Sequence, residues 1–304
     1  MPRPSFLRSA IRLIRPHQWS KNLLIFVPMA FAHLLGNPVA VLHATIAFFA
    51  FSFTASVGYI FNDIQDRERD RLHKTKKHRP LASGAITAPM GGGIALLLLA
   101  AAVAMGAYLG RYLLCSMAGY LLLTTAYSRW LKKRVLIDVM LLASLYTSRI
   151  IVGSVATQVV PSMWLLSLSM FIFFSLALVK RLTELMPLHP DKQSGSLHGR
   201  DYAYPDSDTL RSMGIAAGTT AVLVLALYID SAQAANQYAN PLWLWPSCAV
   251  LWYWISRMWI KTARGEMHDD PIVYSLTDRG SWVSFAAIAF CWVAASLDFE
   301  PHLR

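Results

Sequence analysis

The chain has 304 residues, of which 55% are apolar and only 15% charged, and its mean hydropathy is +0.41. So oily a composition excludes an ordinary water-soluble domain of this length and points to a membrane protein. The formal net charge is +11; because the basic residues alternate between loops, it reports membrane topology and gives no reason to invoke nucleic-acid binding.

The opening stretch, MPRPSFLRSAIRLIRPHQWSK, is basic and broken by prolines, unlike a cleavable signal peptide. Its period predicts a cytoplasmic amphipathic helix on the membrane surface within residues 1 to 22, with Phe6, Ala10, Leu13 and Ile14 against lipid and the arginines among headgroups. A helical crossing needs about 20 mostly apolar residues. Nine segments come near that length: residues 23 to 37, 40 to 61, 94 to 110, 112 to 128, 135 to 155, 162 to 180, 213 to 230, 241 to 259 and 282 to 298. None alternates with period two, so an all-α fold of nine transmembrane helices is expected, with residues 1 to 304 as one integral-membrane domain. Pro28 interrupts the first segment and Pro38 closes it. Cys115, Cys248 and Cys291 fall inside these segments, and free thiols without a disulfide or metal role are expected.

All but Arg111, Arg149 and Arg304 of the 28 Lys and Arg residues lie before the first segment or in loops that alternate to one side. The positive-inside rule then predicts a cytoplasmic N-terminus and an external C-terminus. The loop after the second segment reads NDIQDRERDRLHKTKKHRPLASG, Asn62 to Gly84. Asp63, Asp66 and Asp70, spaced three and four apart, align on one face if the second helix continues inward. Three carboxylates there repel one another unless a cation sits between them, and hard oxygen ligands suit Mg²⁺. Asn62 can add a neutral oxygen, while Arg67, Lys74, Lys77 and Arg79 offer donors for diphosphate oxygens. The plainer alternative is a solvated loop whose acids pair locally with topology-setting cations.

NDIQDRERD followed by HRPLASG resembles the first aspartate-rich motif of the UbiA superfamily of intramembrane prenyltransferases. The likeness extends from RPHQWSKNLLIFVP to DDPIVYSLTDR. It implies nine helices around a central cavity open to the cytoplasmic side, a location in the bacterial inner membrane, and Mg²⁺ held by Asp63, Asp66 and Asp70 as catalytic residues. Within the superfamily the chain looks most like the decaprenyl-phosphate phosphoribosyltransferase branch, whose donor is phosphoribosyl diphosphate and whose acceptor is a polyprenyl phosphate. Ordinary members carry a second aspartate-rich motif after the sixth helix. Here ALVKRLTELM puts Lys180 and Arg181 in that place, with Glu184 the one acid at helical spacing, a KR..EL pattern associated with the phosphoribosyltransferase branch. Such cations favour a direct ionic clamp on phosphate; a helix-end Lys to Glu pair explains them as well.

The expected substrate-binding set is Lys21, Asn62, Arg67, Lys74, Lys77, Arg79, Arg149, Lys180, Arg181, Glu184 and Tyr202. Arg149 lies well inside the fifth segment, where a lone charge costs at least about 2.5 kcal/mol. Asp138 is on nearly the same face but roughly 16 Å away, so both are expected to face the cavity, Arg149 drawing in a phosphate; a staple to backbone carbonyls is the alternative. Tyr202 can bond a ribose or phosphate, or belong to an interfacial tyrosine belt. The acceptor is already an anion, so no general base is needed, and in-line attack predicts inversion at the anomeric carbon. Two rivals stand beside this reading: prenyl transfer to an aromatic acceptor, which calls for a second acidic motif, and an ion-coupled transporter, which calls for broken helices in related halves. Homo-oligomerisation, acceptor length and the later fate of the product are left open.

Overall fold

A computed structural model describes residues 5–73, 75–187, 200–267 and 270–297. Lys74, named above as a phosphate donor, lies outside the described residues. The described chain is helical throughout, as its apolar runs without period-two alternation require. The α-helices are α1 (Phe6–Ile14), α2 (Val27–Phe31), α3 (Pro38–Gln65), α4 (Arg67–Leu72), α5 (Ala88–Leu109), α6 (Arg111–Arg129), α7 (Ile137–Thr157), α8 (Met163–Leu185), α9 (Ser207–Ile229), α10 (Ala232–Gln237), α11 (Trp245–Ala263), α12 (Pro271–Thr277) and α13 (Arg279–Ser296). Among the described residues five stretches are long and apolar enough, by length and composition, to cross a membrane: α3, α5, α7, α8 and Tyr204–Ile229, which contains α9.

The first expected crossing, residues 23 to 37, is not one helix. A 3₁₀ stretch, Pro16–Phe26, hands over to the five-residue α2, and the chain then turns through His33 at φ 56°. Prolines are the cause: Pro16 opens the 3₁₀ stretch, and Pro28, lacking an N–H, fits only in the first turn of α2. The opening helix also departs from expectation. Leu13 is completely buried with Ile60, Leu81 and Ile86, and Ala10 packs against that cluster, so part of the face assigned to lipid is turned to protein. Phe6, Leu7 and Ile11 remain exposed.

The chain forms two compact units, residues 1–131 with 148–161, and residues 132–147 with 162–304, so α7 contributes to both. In the first unit α3 begins at a strong start signal: the Asn37 side chain accepts from the Val39 and Ala40 amides at 3.0 and 3.2 Å, with Pro38 in the first turn. Small residues, Ala40, Ala44, Ala47 and Ala50, line its buried side. Its 28 residues span about 42 Å, well beyond a hydrocarbon layer of roughly 30 Å, so its polar end projects past the apolar zone. In the same unit a Cβ on Gly153 would fall 2.1 Å from the Ile25 carbonyl oxygen. That neighbour is backbone and cannot swing aside. Gly153→Ala is therefore expected to lower unfolding free energy by roughly 1–3 kcal/mol, read as a drop in thermal midpoint in detergent.

The second unit packs α8 against α9 along Gly214, Ala217, Gly218 and Ala221, small residues that let helices approach in a membrane. Ser175 on α8 donates to the Gly214 carbonyl at 2.7 Å and accepts from the Trp259 indole of α11 at 3.0 Å. The Trp254 indole donates to Ser281 of α13 at 3.0 Å.

Candidate active site

The carboxylate ladder forms where α3 gives way to α4. Asp66 interrupts the helix, yet its amide donates to the Asn62 carbonyl at 2.9 Å, and the Asp70 amide donates to the Asp66 carbonyl at 2.8 Å. Helical pitch is carried through the break, which keeps positions 63, 66 and 70 to one side. Asp63 and Asp70 are only 3% and 4% exposed, so each carboxylate needs a partner. The cation between them is Arg79: its Nη1 lies 3.0 Å from Asp63 Oδ1 and 2.7 Å from Asp70 Oδ2. Pro80 confines Arg79 to extended backbone, ψ 144°, and the buried Leu81 anchors the turn that follows.

A second guanidinium completes the arrangement. Arg15 Nη2 donates to both Asp63 oxygens at 2.7 and 2.6 Å, and its guanidinium lies 5.2 Å over the Tyr59 ring. Arg15 adopts left-handed backbone, φ 59° and ψ 56°, where α1 ends before Pro16. A non-glycine residue in that region is strained and persists only when its surroundings fix it. Ser56 helps to do so, donating to the Ile14 carbonyl at 2.8 Å while accepting from the Trp19 indole at 3.1 Å.

The remaining residues of the ladder are placed as follows. Asn62 donates to Ser128 of α6 at 3.2 Å. Arg67 turns to Glu68 at 2.8 Å, and that contact, reinforced by Arg71, holds the exposed Glu68 carboxyl below its usual range. Lys77 is exposed, and Lys21 is half-buried in the 3₁₀ stretch. The Asp66 side chain makes no hydrogen bond or ion pair among the described residues.

As a donor set for Mg²⁺ these are hard oxygens of the right kind, and one or two carboxylates plus substrate phosphate suffice for that ion. Asp66 and Asp70 fit. Asp63, expected as a third ligand, has both oxygens engaged by Arg15 and Arg79. Among the described residues no three His, Cys, Asp or Glu side chains gather to hold an ion.

Arg149 is 4% exposed. Its Nε donates to Asn22 Oδ1 at 2.8 Å, its Nη2 to the Tyr120 hydroxyl at 3.4 Å, and its guanidinium lies over the Phe51 and Tyr120 rings at 5.6 and 5.4 Å. Asn22 in turn donates to Ser52 at 2.9 Å. These neutral side chains hold the buried guanidinium and tie the 3₁₀ stretch to α3, α6 and α7. Arg149→Met is expected to cost roughly 1–3 kcal/mol of stability with the KM for lipid acceptor unchanged, measured by detergent unfolding and acceptor titration. A higher KM at unaltered stability would return Arg149 to the substrate.

In the second unit the expected cationic wall is balanced by acids. Arg181 is completely buried. It pairs with Asp138 at 2.8 Å and with Glu184, and Arg200 joins Glu184 as well. Asp138 is also fully buried, so it is a structural counter-ion to Arg181 and not a cavity-facing group. Tyr202 lies against the Arg181 guanidinium at 5.4 Å and accepts from the Leu136 amide at 2.9 Å. Being completely buried, it is neither a belt tyrosine nor open to a ribose, and burial pushes its phenol up. Lys180 meets Asp270 at 2.9 Å, a carboxylate that the Tyr146 hydroxyl also approaches at 3.2 Å. Lys180 and Asp270 line a shallow depression with Tyr146, Leu142 and Ile272, and Lys180 keeps 29% of its side chain exposed.

Helical, multi-pass and bearing a carboxylate ladder fastened by arginines at a helix end, the molecule is of the class of membrane-embedded helical transferases. It belongs to the UbiA prenyltransferase family, which residues 23–277 match. The chain is 37% identical over 283 residues to uncharacterized protein y4nM of Sinorhizobium fredii, covering 93% of this chain and 55% of that protein. It thus spans about half the length of that relative. It is 34% identical over 277 residues to nodulation protein NoeC of Azorhizobium caulinodans, covering 90% of this chain and 89% of that one. Against decaprenyl-phosphate phosphoribosyltransferase of Corynebacterium glutamicum, identity is 30% over 297 residues, covering 94% and 86%. The solved structure of a UbiA homolog from Archaeoglobus fulgidus bound to GPP and Mg²⁺ has a TM-score of 0.69 at 17% identity, covering 95% of this chain and all of that one. At that identity the likeness is one of fold.

Proposed function

We propose that this chain transfers the 5-phosphoribosyl group from phosphoribosyl diphosphate to a polyprenyl phosphate and releases diphosphate. The observation that carries the reading is the end of α8. Where a second metal-holding motif would gather carboxylates, Lys180 and Arg181 stand, Lys180 paired with Asp270 and Arg181 with Asp138 and Glu184. One acidic ladder, not two, is then available for a metal-bound diphosphate. The 30% identity to decaprenyl-phosphate phosphoribosyltransferase across 94% of the chain supports the same assignment. The proposal includes nine crossings in a bacterial inner membrane, with the N-terminus and the ladder on the cytoplasmic side. The first crossing is the 3₁₀ stretch continued by α2, whose combined length is about 30 Å.

In the reaction the bond between the anomeric carbon and the diphosphate oxygen breaks as a lipid phosphate oxygen attacks from the opposite face. The electron pair leaves with diphosphate and the configuration inverts. Mg²⁺, held by Asp66 and Asp70, supplies charge stabilisation for the leaving group when bound. Arg15 and Arg79 fix Asp63 and Asp70 in place, and Arg67 and Lys77 are assigned to phosphate oxygens not covered by metal. Lys180, the accessible member of its pair, is assigned to phosphate. Because the acceptor is an anion, the chain need hold no catalytic base, and its own contribution is to orient two anions and exclude water.

The test uses membranes containing the chain, Mg²⁺, labelled phosphoribosyl diphosphate and a polyprenyl phosphate. Label is expected in the lipid fraction as a β-linked phosphoribosyl lipid. A label-free lipid fraction, with transfer from a prenyl diphosphate to an aromatic acceptor instead, overturns the assignment in favour of conventional prenyl transfer.

A further inference from the structure

A separate charged pocket lies at the end of α11, among residues that the proposed reaction does not use. Arg257, Lys261 and Arg264 recur at helical spacing and share one face. With Tyr253, Ser256, Ile260 and Glu266 they line an open pocket of about 390 Å³, a volume in the range of small-ligand sites. Cations at a helix C-terminus complement the backbone dipole, which accounts for their sign but not for a pocket.

The two carboxylates paired with these cations, Glu266 in the lining and Asp278 behind Arg257, differ in kind. Asp278 is bound by both Arg257 Nη atoms, the Ser281 amide at 2.8 Å and the Ser281 hydroxyl at 2.9 Å. These contacts hold its carboxyl well below the usual range, so Arg257 is permanently matched. Glu266 is only 3.2 Å from Lys261 Nζ and 3.9 Å from Arg264, and 44% of its side chain is exposed. Such a contact is weak in water. Gly265, at φ 70°, turns the chain so that the Glu266 amide returns to the Lys261 carbonyl at 3.0 Å, and this turn sets the Glu266 carboxylate between the two cations. Arg264 keeps 69% of its side chain exposed. Lys261, 21% exposed, also lies 5.5 Å over the Tyr274 ring, so Arg264 is the freer donor of the two, with one net positive charge left after Glu266.

Part of the lining is apolar: Tyr253 and Ile260 border the pocket while 61% and 51% exposed. A free phosphate has no use for that surface, whereas a lipid would lay its chains along it with its headgroup on the cations.

We infer that this pocket binds the phosphate of an anionic membrane lipid, Lys261 and Arg264 grasping the phosphate oxygens in place of Glu266. The site is independent of phosphoribosyl transfer. The test uses the full chain purified in neutral detergent and titrated with phosphatidylglycerol, phosphatidylcholine or inorganic phosphate, with bound ligand read by native mass spectrometry. Phosphatidylglycerol is expected to bind, phosphatidylcholine not, and inorganic phosphate only far more weakly. The double substitution Lys261→Gln with Arg264→Gln should weaken phosphatidylglycerol binding roughly thirtyfold, and Glu266→Gln should tighten it several-fold. Unchanged affinity in the double variant, or no gain in Glu266→Gln, overturns the site. Inorganic phosphate binding as well as the lipid overturns its assignment to lipid.

Discussion

Arg181→Met is expected to destabilise the protein by about 3–5 kcal/mol, the cost of removing one member of a buried ion cluster. Arg181 and Asp138 have no exposed side-chain surface, and the substitution strips Asp138 of the guanidinium at 2.8 Å while Glu184 keeps Arg200. The loss should appear as a lower midpoint in thermal or chemical unfolding, with near-normal KM for phosphoribosyl diphosphate in the fraction that remains folded. A second variant keeps the result interpretable. Adding Asp138→Asn to Arg181→Met removes the buried charge, which the single variant leaves facing Arg200 at 3.9 Å, and should recover more than half of the loss, because Arg181 and Asp138 act as a coupled pair. Had Arg181 been a phosphate clamp, the single variant would unfold like wild type and its donor KM would rise; that pattern would falsify the structural role.

The same cluster marks where reading the chain by residue succeeds and where it stops. Helix positions were legible because apolar runs of membrane length are nearly free of charge, and α3, α5 and α6 start or end within a few residues of the expected bounds. The exceptions have local chemistry behind them. α5 begins at Ala88 because Thr87 caps it, accepting from the Met90 amide at 3.4 Å, and a cap carries no hydropathy signal. The ladder was legible as a ladder: three acids at helical spacing demand an intervening cation, and Arg79 from the same motif supplies it. Arg15 was not. It lies 48 residues from Asp63, and only the sharp turn before Pro16 brings it there. Likewise Lys180 and Arg181 looked like open cations because, Glu184 apart, their acids come from distant segments, Asp138 from α7 and Asp270 from before α12. Local spacing reports which charges share a face. It says nothing about which distant charge neutralises them, although the cost of burying an unpaired ion guarantees that one exists.

Asp66→Asn is expected to lower phosphoribosyl transfer by roughly 100- to 1,000-fold, the usual loss when one group that stabilises transition-state charge is removed. Stability should hold within about 0.5 kcal/mol, since the Asp66 side chain has no hydrogen bond or ion pair among the described residues for the amide to lose. Asp63→Asn is the informative companion. It leaves Arg15 and Arg79 without the carboxylate they share, so a fall of about 1–3 kcal/mol in stability should accompany any loss of transfer. A readout apart from turnover separates the two roles: calorimetric titration of diphosphate with and without Mg²⁺. In wild type, Mg²⁺ should tighten diphosphate binding; in Asp66→Asn that gain should largely vanish, while metal-free binding, which rests on the cations, stays the same. An Asp66→Asn protein that keeps the full Mg²⁺ gain would remove the carboxylate from the metal and, with it, the reading of the ladder as the diphosphate end of the reaction.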